Sequence, residues 1–357
     1  MTNHRLIQAI QGKAVDRTPV WLMRQAGRYL PEYRKIRSSV KDFLTLCKTP
    51  ELASIVTLQP VTRYPLDAAI IFSDILTIPD AYGLGLSFIE GEGPRFLNPI
   101  RSEAALQKLP QIDPEETLGF VMETIRLAAK ELRGKIPIIG FAGSPWTIAT
   151  YMVEGESPRH FSIIKRMMYQ SPHLLHALLS HLSETIIAYL FAQIKAGAEV
   201  IMLFDTWGGV LSHPDFLQFS LNYMKNILQS LAEKQGDKAV PIILFTKNGG
   251  PYLSDILNSG ADCVGLDWTT NLQVARKLSQ GKVALQGNLD PATLYAPKEE
   301  IVKAVGTVLE QYGNGSGHVF NLGHGMHPDI DPDQVNILLE ALNTLSPEYH
   351  SERSDRL

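Results

Sequence analysis

The sequence predicts an α/β protein: a single (β/α)8 barrel spanning residues 1–357, with a β-hairpin inserted after the second strand. Three observations predict it. Eight short apolar runs recur along the chain, helical stretches with one apolar face separate them, and a polar residue stands at the exit of nearly every run.

The runs are "PVWLM" (19–23), "AAIIF" (68–72), "IPIIGFA" (136–142), "EVIMLF" (199–204), "VPIILF" (240–245), "DCVGL" (262–266), "KVALQ" (282–286) and "HVFNL" (318–322). They are continuous rather than alternating and rich in Ile, Val and Leu, as strands buried on both faces are. Between them, "DPEETLGFVMETIRLAAKELRG" predicts a helix capped by Asp113, with Pro114 in its first turn and Gly134 at its exit. "DPDQVNILLEALNTL" repeats the form, and "PYLSDILNSG" and "NLQVARKLSQG" predict shorter helices. A doubly wound open sheet would want a Gly-rich dinucleotide turn after an early strand, and none follows the first run. The glycines of "YGLGLSFIEGEGPRF" (82–96) read instead as the inserted hairpin. Residues from about 346 to 357 predict a polar C-terminal tail that frays.

Composition narrows the function classes. The net charge of −4 argues against a nucleic-acid binder, which carries a strong basic excess. The only cysteines, Cys47 and Cys263, make neither a disulfide framework nor a four-thiolate metal site. The opening residues lack the apolar stretch of a signal peptide, and no run approaches the roughly 20 continuous apolar residues of a membrane span. The expectation is a soluble, cytoplasmic protein acting on a small molecule, with no nucleic-acid or membrane partner.

In a barrel of this kind chemistry sits where the strands end. The runs are followed in turn by Arg24, by Ser73 and Asp74, by a segment containing Tyr151, by Asp205 and Thr206, by Lys247, by Asp267, by "GNLDP", and by His324 and His327. Each has a plainer interpretation. Arg24 and Arg28 are spaced as surface charges on a helix, and Asp74 is placed to cap one. Lys247 suits a Schiff base less well than a supporting role behind the site or a salt bridge. His324 and His327 lack the further ligands a zinc site needs.

The stretches "PVWLMRQAGRYLPEYR", "LDAAIIFSDIL", "GFAGSPWTIATYMVEG", "VGLDWT", "LQGNLDP" and "NLGHG" together resemble the uroporphyrinogen decarboxylase family over nearly the whole chain. The resemblance implies removal of carbon dioxide from the four acetate arms of uroporphyrinogen III, giving coproporphyrinogen III without metal or organic cofactor. It also implies one barrel per chain and a homodimer with adjacent clefts. Carried over, the substrate-binding loop is Arg24, Gln25, Ala26, Gly27 and Arg28; Asp74 is the central carboxylate; Tyr151, Thr206 and His324 are further substrate contacts. Two other functions share these features: a corrinoid-linked methyltransferase, whose zinc would want Cys and His ligands, and a tetrapyrrole-binding protein without activity.

The residue types suit the implied chemistry. A substrate with eight carboxylates needs cations, and the planar fork of arginine takes a carboxylate through two hydrogen bonds. Losing carbon dioxide leaves an electron pair that a protonated pyrrole can accept, and an ionised Asp74 would stabilise that cation. The proton donor is left open among an arginine (Arg24 foremost), a tyrosine and water. Arg34, Lys35 and Arg37 are expected to form a solvated rim.

Overall fold

The computed structural model describes residues 4–89, 93–236 and 239–350. The strands in chain order are β1 (Ala69–Ile70), β2 (Leu86–Ile89), β3 (Gly93–Phe96), β4 (Ile138–Gly143), β5 (Val200–Asp205), β6 (Ile242–Thr246), β7 (Cys263–Gly265), β8 (Ala284–Gln286) and β9 (His318–Val319). Seven of them form one curled parallel sheet in the order β1-β4-β5-β6-β7-β8-β9. β2 and β3 form a separate antiparallel pair; the turn residues 90–92 lie outside the described residues.

The first apolar run is not a regular strand. It makes a single parallel bridge, Val20 to Phe320 beside β9. Side chains replace the ladder: Val20 N–H donates to the Asp67 carboxylate at 2.9 Å, and Met23 N–H to Asn321 Oδ1 at 2.9 Å. Even so, the segment touches both edges of the sheet. The Asp67 N–H, just before β1, donates to Val20 O at 2.7 Å, and the Phe320 N–H, just after β9, donates to Pro19 O at 2.8 Å.

The continuous apolar runs are explained by two cores. Trp21, Met23, Ile139, Val200, Met202, Ile243, Phe245, Cys263, Ala284 and Val319 pack together on the inner face. Their neighbours in sequence, Val20, Leu22, Ile138, Ile201, Leu203, Ile242, Leu244, Val264, Leu285 and Phe320, pack outward under the helices. Alternation in a strand is therefore present but hidden, because both faces are apolar. Leu6, Ala9 and Ile10 of the helix Arg5–Ile10 join the inner core. Arg5 ties that helix to Asp67 at 2.6 Å, where Arg17 also donates at 2.7 and 3.1 Å. This closes the end of the inner core from which the strands begin.

The helix predicted from Asp113 forms in two pieces, Pro114–Thr117 and Gly119–Leu132. Leu118 at the joint departs from helical geometry, and Gly119 there is a weak helix former. Asp113 accepts from Glu115 N–H, and Arg133 and Gly134 both take the left-handed conformation at the exit. The longest helix, Pro172–Ala196, is long and apolar enough to cross a membrane by length and composition. Its Leu175, Leu178, Leu182, Ile186 and Leu190 are fully buried, so it is a core helix. The expected loose tail does not begin at residue 346. Ser346–Tyr349 is a 3-10 turn, Ser346 is buried, and His350 bonds Thr18 Oγ1 at 2.8 Å. Residues 351–357 lie outside the described residues.

Candidate active site

The "RQAGR" loop leaves the first run through a strained residue. Arg24 has φ of 60°, a conformation that non-glycine residues rarely hold and that clusters at functional sites. The loop is pinned from below by Gln25, which is 1% exposed. Gln25 Oε1 accepts from Leu22 N–H at 3.0 Å, its Nε2 donates to Ala68 O at 3.1 Å, and its carbonyl accepts from the Tyr29 hydroxyl at 2.8 Å. The Gln25 side chain therefore braces the loop from the core side. Arg34, read as part of a solvated rim, is a second clamp: its guanidinium donates to Arg28 O at 2.8 Å and Tyr29 O at 3.0 Å. The result is that Arg24 and Arg28 are both exposed, and neither pairs with a carboxylate among the described residues. Ala26 and Gly27 between them are half-buried.

Arg24 lies across the loop that follows β9. A Cβ on Gly325 would come within 2.3–2.7 Å of Arg24 Cδ, Cγ and Nε, so only glycine lets the side chain rest there. Met326 N–H donates to Met23 O at 3.0 Å and holds the two loops together.

Asp74 follows β1 and is half-buried. Its Oδ1 accepts from Leu76 N–H at 2.8 Å, which is the turn-capping role sequence allowed. Its Oδ2 has no donor among the described residues. Burial pushes the Asp74 carboxyl above the ordinary carboxylate range, opposed by the Leu76 N–H and by the charge of Arg24. Tyr151 stands on the helix Pro145–Glu154, whose N-cap Ser144 accepts from Thr147 N–H at 3.0 Å and whose exit Gly155 is left-handed. Burial pushes its hydroxyl up to about 12, and the charge of Asp74 adds to that. Its ring is 6.1 Å from that of Trp207.

β5 ends in Asp205, with Thr206 next, and the two differ in kind. Asp205 is fully buried. Its carboxylate accepts from the hydroxyls of Ser144 (2.6 Å), Thr147 (3.1 Å), Ser220 (2.8 Å) and Thr246 (3.4 Å). Ser220 reaches it from a π-helical turn, Leu217–Leu221. Asp205 thus ties together the ends of β4, β5 and β6, and it leaves Thr206 half-buried at the rim. Asp267 has a similar local use, accepting from Thr269 N–H at 3.0 Å and from the Thr269 and Thr270 hydroxyls.

His324 is half-buried between the rings of Phe245 and Trp268, each 6.2 Å away. Burial, with the charges of Arg24 and Lys247, pushes its imidazole down to about 4, against a small upward pull from Asp267. It is neutral at physiological pH. His327 is turned aside, with Nδ1 3.1 Å from the Tyr295 hydroxyl. Among the described residues no three His, Cys, Asp or Glu side chains gather as a metal site. Cys263 is fully buried in the inner core, and burial raises its thiol as it does that of Cys47.

The structure therefore gathers Arg24, Asp74, Tyr151, Thr206 and His324 at the strand exits, with Ala26, Gly27 and Arg28 along one edge. Phe141 and Phe204, with rings 5.6 Å apart, and Phe245 are apolar groups near the ends of β4, β5 and β6. Sequence reasoning missed the roles of Gln25, Arg34, Asp205 and Gly325. Only Gly325 left a signal, as the second glycine of "GHG". A cavity of about 540 Å³ is lined by Trp268 and the helix Lys298–Tyr312, and none of Arg24, Asp74, Tyr151, Thr206 and His324 lines it.

An α/β sheet that brings two unpaired arginines, a half-buried carboxylate and a neutral histidine to its strand exits defines an enzyme built for a small anionic substrate. The comparisons with known proteins agree. The family model "Uroporphyrinogen decarboxylase (URO-D)" matches residues 1–345, and the chain belongs to that family. The uroporphyrinogen decarboxylase of Klebsiella pneumoniae (strain 342) is 56% identical over 350 residues, 98% of this chain and 99% of the relative. That of Escherichia fergusonii is 55% identical over the same shares. Among solved structures, a methyltransferase from Methanosarcina mazei superposes with a TM-score of 0.76 at 21% identity, covering 95% of this chain and 97% of that one. A B12-independent methionine synthase from Shewanella gives 0.57 at 14% identity, covering 93% and 94%. At such identities these two share the fold.

Proposed function

We propose that the chain decarboxylates the four acetate arms of uroporphyrinogen III to give coproporphyrinogen III, as a carboxy-lyase of tetrapyrrole biosynthesis. Family membership supports the activity. The observation that carries the site is that one mouth holds both an exposed, unpartnered Arg24 and a half-buried Asp74 whose Oδ2 is unoccupied by any donor among the described residues.

Arg24 and Arg28 take substrate carboxylates, and the main chain of Gln25, Ala26 and Gly27 lies close to the same arms. Asp74 Oδ2 accepts hydrogen bonds from the pyrrole N–H groups. A proton added to the ring carbon beside the acetate-bearing one makes the ring cationic. The C–CO2 bond then breaks, and its electron pair passes into that ring. A proton delivered to the exocyclic carbon completes the methyl group, and the ring proton leaves. Asp74 acts as a charge throughout, offsetting the cation. Tyr151, protonated at neutral pH, and Thr206 present hydroxyls, and neutral His324 adds a hydrogen bond rather than a third charge. Arg24 is the foremost proton-donor candidate by position.

In this reading the segment 19–23 is the eighth stave of a (β/α)8 barrel and β2–β3 is an insertion into it. A cytoplasmic homodimer without metal or organic cofactor belongs to the same reading. Two buried, unpaired thiols fit a reducing compartment. The test is anaerobic incubation with uroporphyrinogen III, with separation of the products by carboxylate number. Stepwise appearance of species with seven to four carboxylates is expected. Binding without product would leave a tetrapyrrole carrier instead, and stoichiometric zinc with methyl transfer would move the chain toward the methyltransferases.

A further inference from the structure

Lys247 has no part in the mechanism above, yet its placement is unusual. It follows β6, and its main-chain N–H donates to Asp205 O at 3.2 Å, which ties its backbone to the end of β5. The side chain is half-buried, and its ammonium sits 5.8 Å from the centre of the Trp207 ring. No carboxylate pairs with it among the described residues, so of the supporting role and the salt bridge that the sequence allowed, the salt bridge is not formed. Trp207 is itself held in place: its N–H donates to Thr147 Oγ1 at 3.2 Å and its carbonyl accepts from Trp146 Nε1 at 2.9 Å. A desolvated cation over a fixed aromatic face is directed rather than free to wave in solvent.

The topology says where that cation points from. Counting round the sheet from the 19–23 segment, β6 is the fourth strand by way of β1, β4 and β5, and the fourth by way of β9, β8 and β7. Lys247 and Arg24 thus rise from opposite walls. The space between them is nonetheless short enough for one molecule to span: Arg24 rests on Gly325, and the ring of His324 beside that glycine is 6.2 Å from the ring of Phe245, two residues before Lys247.

We propose that Lys247 is a substrate-binding residue: its ammonium takes a carboxylate arm of the tetrapyrrole on the wall opposite Arg24 and so fixes how the macrocycle is seated. The proposal rests on the decarboxylase reading. A substrate with carboxylates all round its rim is bound best by cations on facing walls, because a single cluster would hold one edge and leave the ring free to pivot. An unpaired, partly desolvated ammonium is costly without an anion, and a substrate carboxylate supplies one.

The test compares wild type, Lys247→Met and Lys247→Arg with uroporphyrinogen III at low and high salt. Methionine keeps a long apolar stem against Trp207 and removes the charge. It is expected to raise KM about 10- to 100-fold, the factor carried by one charge-assisted hydrogen bond, with a smaller change in kcat. The salt dependence of KM should flatten, and Lys247→Arg should recover most of the loss. Wild-type KM in Lys247→Met would overturn the proposal. So would an arginine variant as impaired as the methionine one, or a covalent adduct trapped on Lys247 by borohydride. Wild-type turnover in the same assay tests the decarboxylase reading on its own.

Discussion

Replacing Asp74 by asparagine separates charge from shape at the centre of the site. The amide oxygen can still accept from Leu76 N–H, now 2.8 Å from Oδ1, so the turn after β1 is kept. The loss is one negative charge beside the pyrrole cation. At about 4 Å and an effective dielectric near 20, that pair is worth roughly 4 kcal/mol. Realised in the transition state, this corresponds to nearly a thousandfold in kcat. Stability should move the other way. Burial raises the Asp74 carboxyl in the folded chain, so the native state holds a proton that the unfolded chain has already released. The contribution of Asp74 to stability therefore falls as pH rises through that window and stays lower at neutral pH. The neutral amide carries no such cost, so Asp74→Asn should melt at the same temperature or higher while losing activity. The same raised carboxyl places the acid limb of the wild-type pH–rate profile above about 4, the ordinary carboxylate value. Near-normal turnover in Asp74→Asn would refute the cation-stabilising role, and a lower melting temperature would refute the burial argument.

Gly325→Ala should leave the fold intact but push Arg24 off its seat, lowering kcat/KM by about 10- to 100-fold, as loss of a charged contact does; an unchanged value in steady-state kinetics would show that Arg24 does not act from that position. His318 is buried in β9 with its Nε2 2.9 Å from Gly287 O, and burial pushes it down to about 4. As pH falls from about 6.5 the unfolded chain takes the proton first, so the fold should lose up to about 3 kcal/mol by pH 4. Denaturant titrations of wild type and His318→Phe at about pH 7 and about pH 4.5 check this, since the variant should lack that share of the slope. Asp205→Ala strips four hydroxyls of their acceptor and should cost about 3 kcal/mol or more by urea denaturation. A midpoint equal to wild type would mean that the cluster re-pairs without it.

The strands were legible because inner and outer cores both demand apolar residues, which leaves continuous runs. The exits were legible because the residue that ends a strand falls at the site whichever loop succeeds it. The irregular first run was not, since nothing in "PVWLM" says that Asp67 and Asn321 will take its N–H groups. Nor does a sequence distinguish two aspartates that each stand at a strand exit. Asp74 keeps an oxygen open while Asp205 is enclosed by hydroxyls, and the difference comes from Ser144, Thr147, Ser220 and Thr246, which lie far apart in the chain. Gln25 was placed in the loop by resemblance alone; that its side chain turns inward to brace the sharp turn at Arg24 could not be read from its neighbours.

The bond from Met23 N–H to Asn321 Oδ1 joins groups 298 positions apart in the chain. Arg24 rests on Gly325 across the same gap. As the ribosome releases the chain, Asp74, Tyr151 and Thr206 can reach their places while the arginine loop still lacks the part of its support that Asn321 and Gly325 supply. The cationic half of the site is set only when the last βα unit docks on the first. Catalysis is then a report on the finished chain, and a product ending before Asn321 would keep Asp74 and the braces of Gln25 and Arg34 yet lack the glycine on which Arg24 rests.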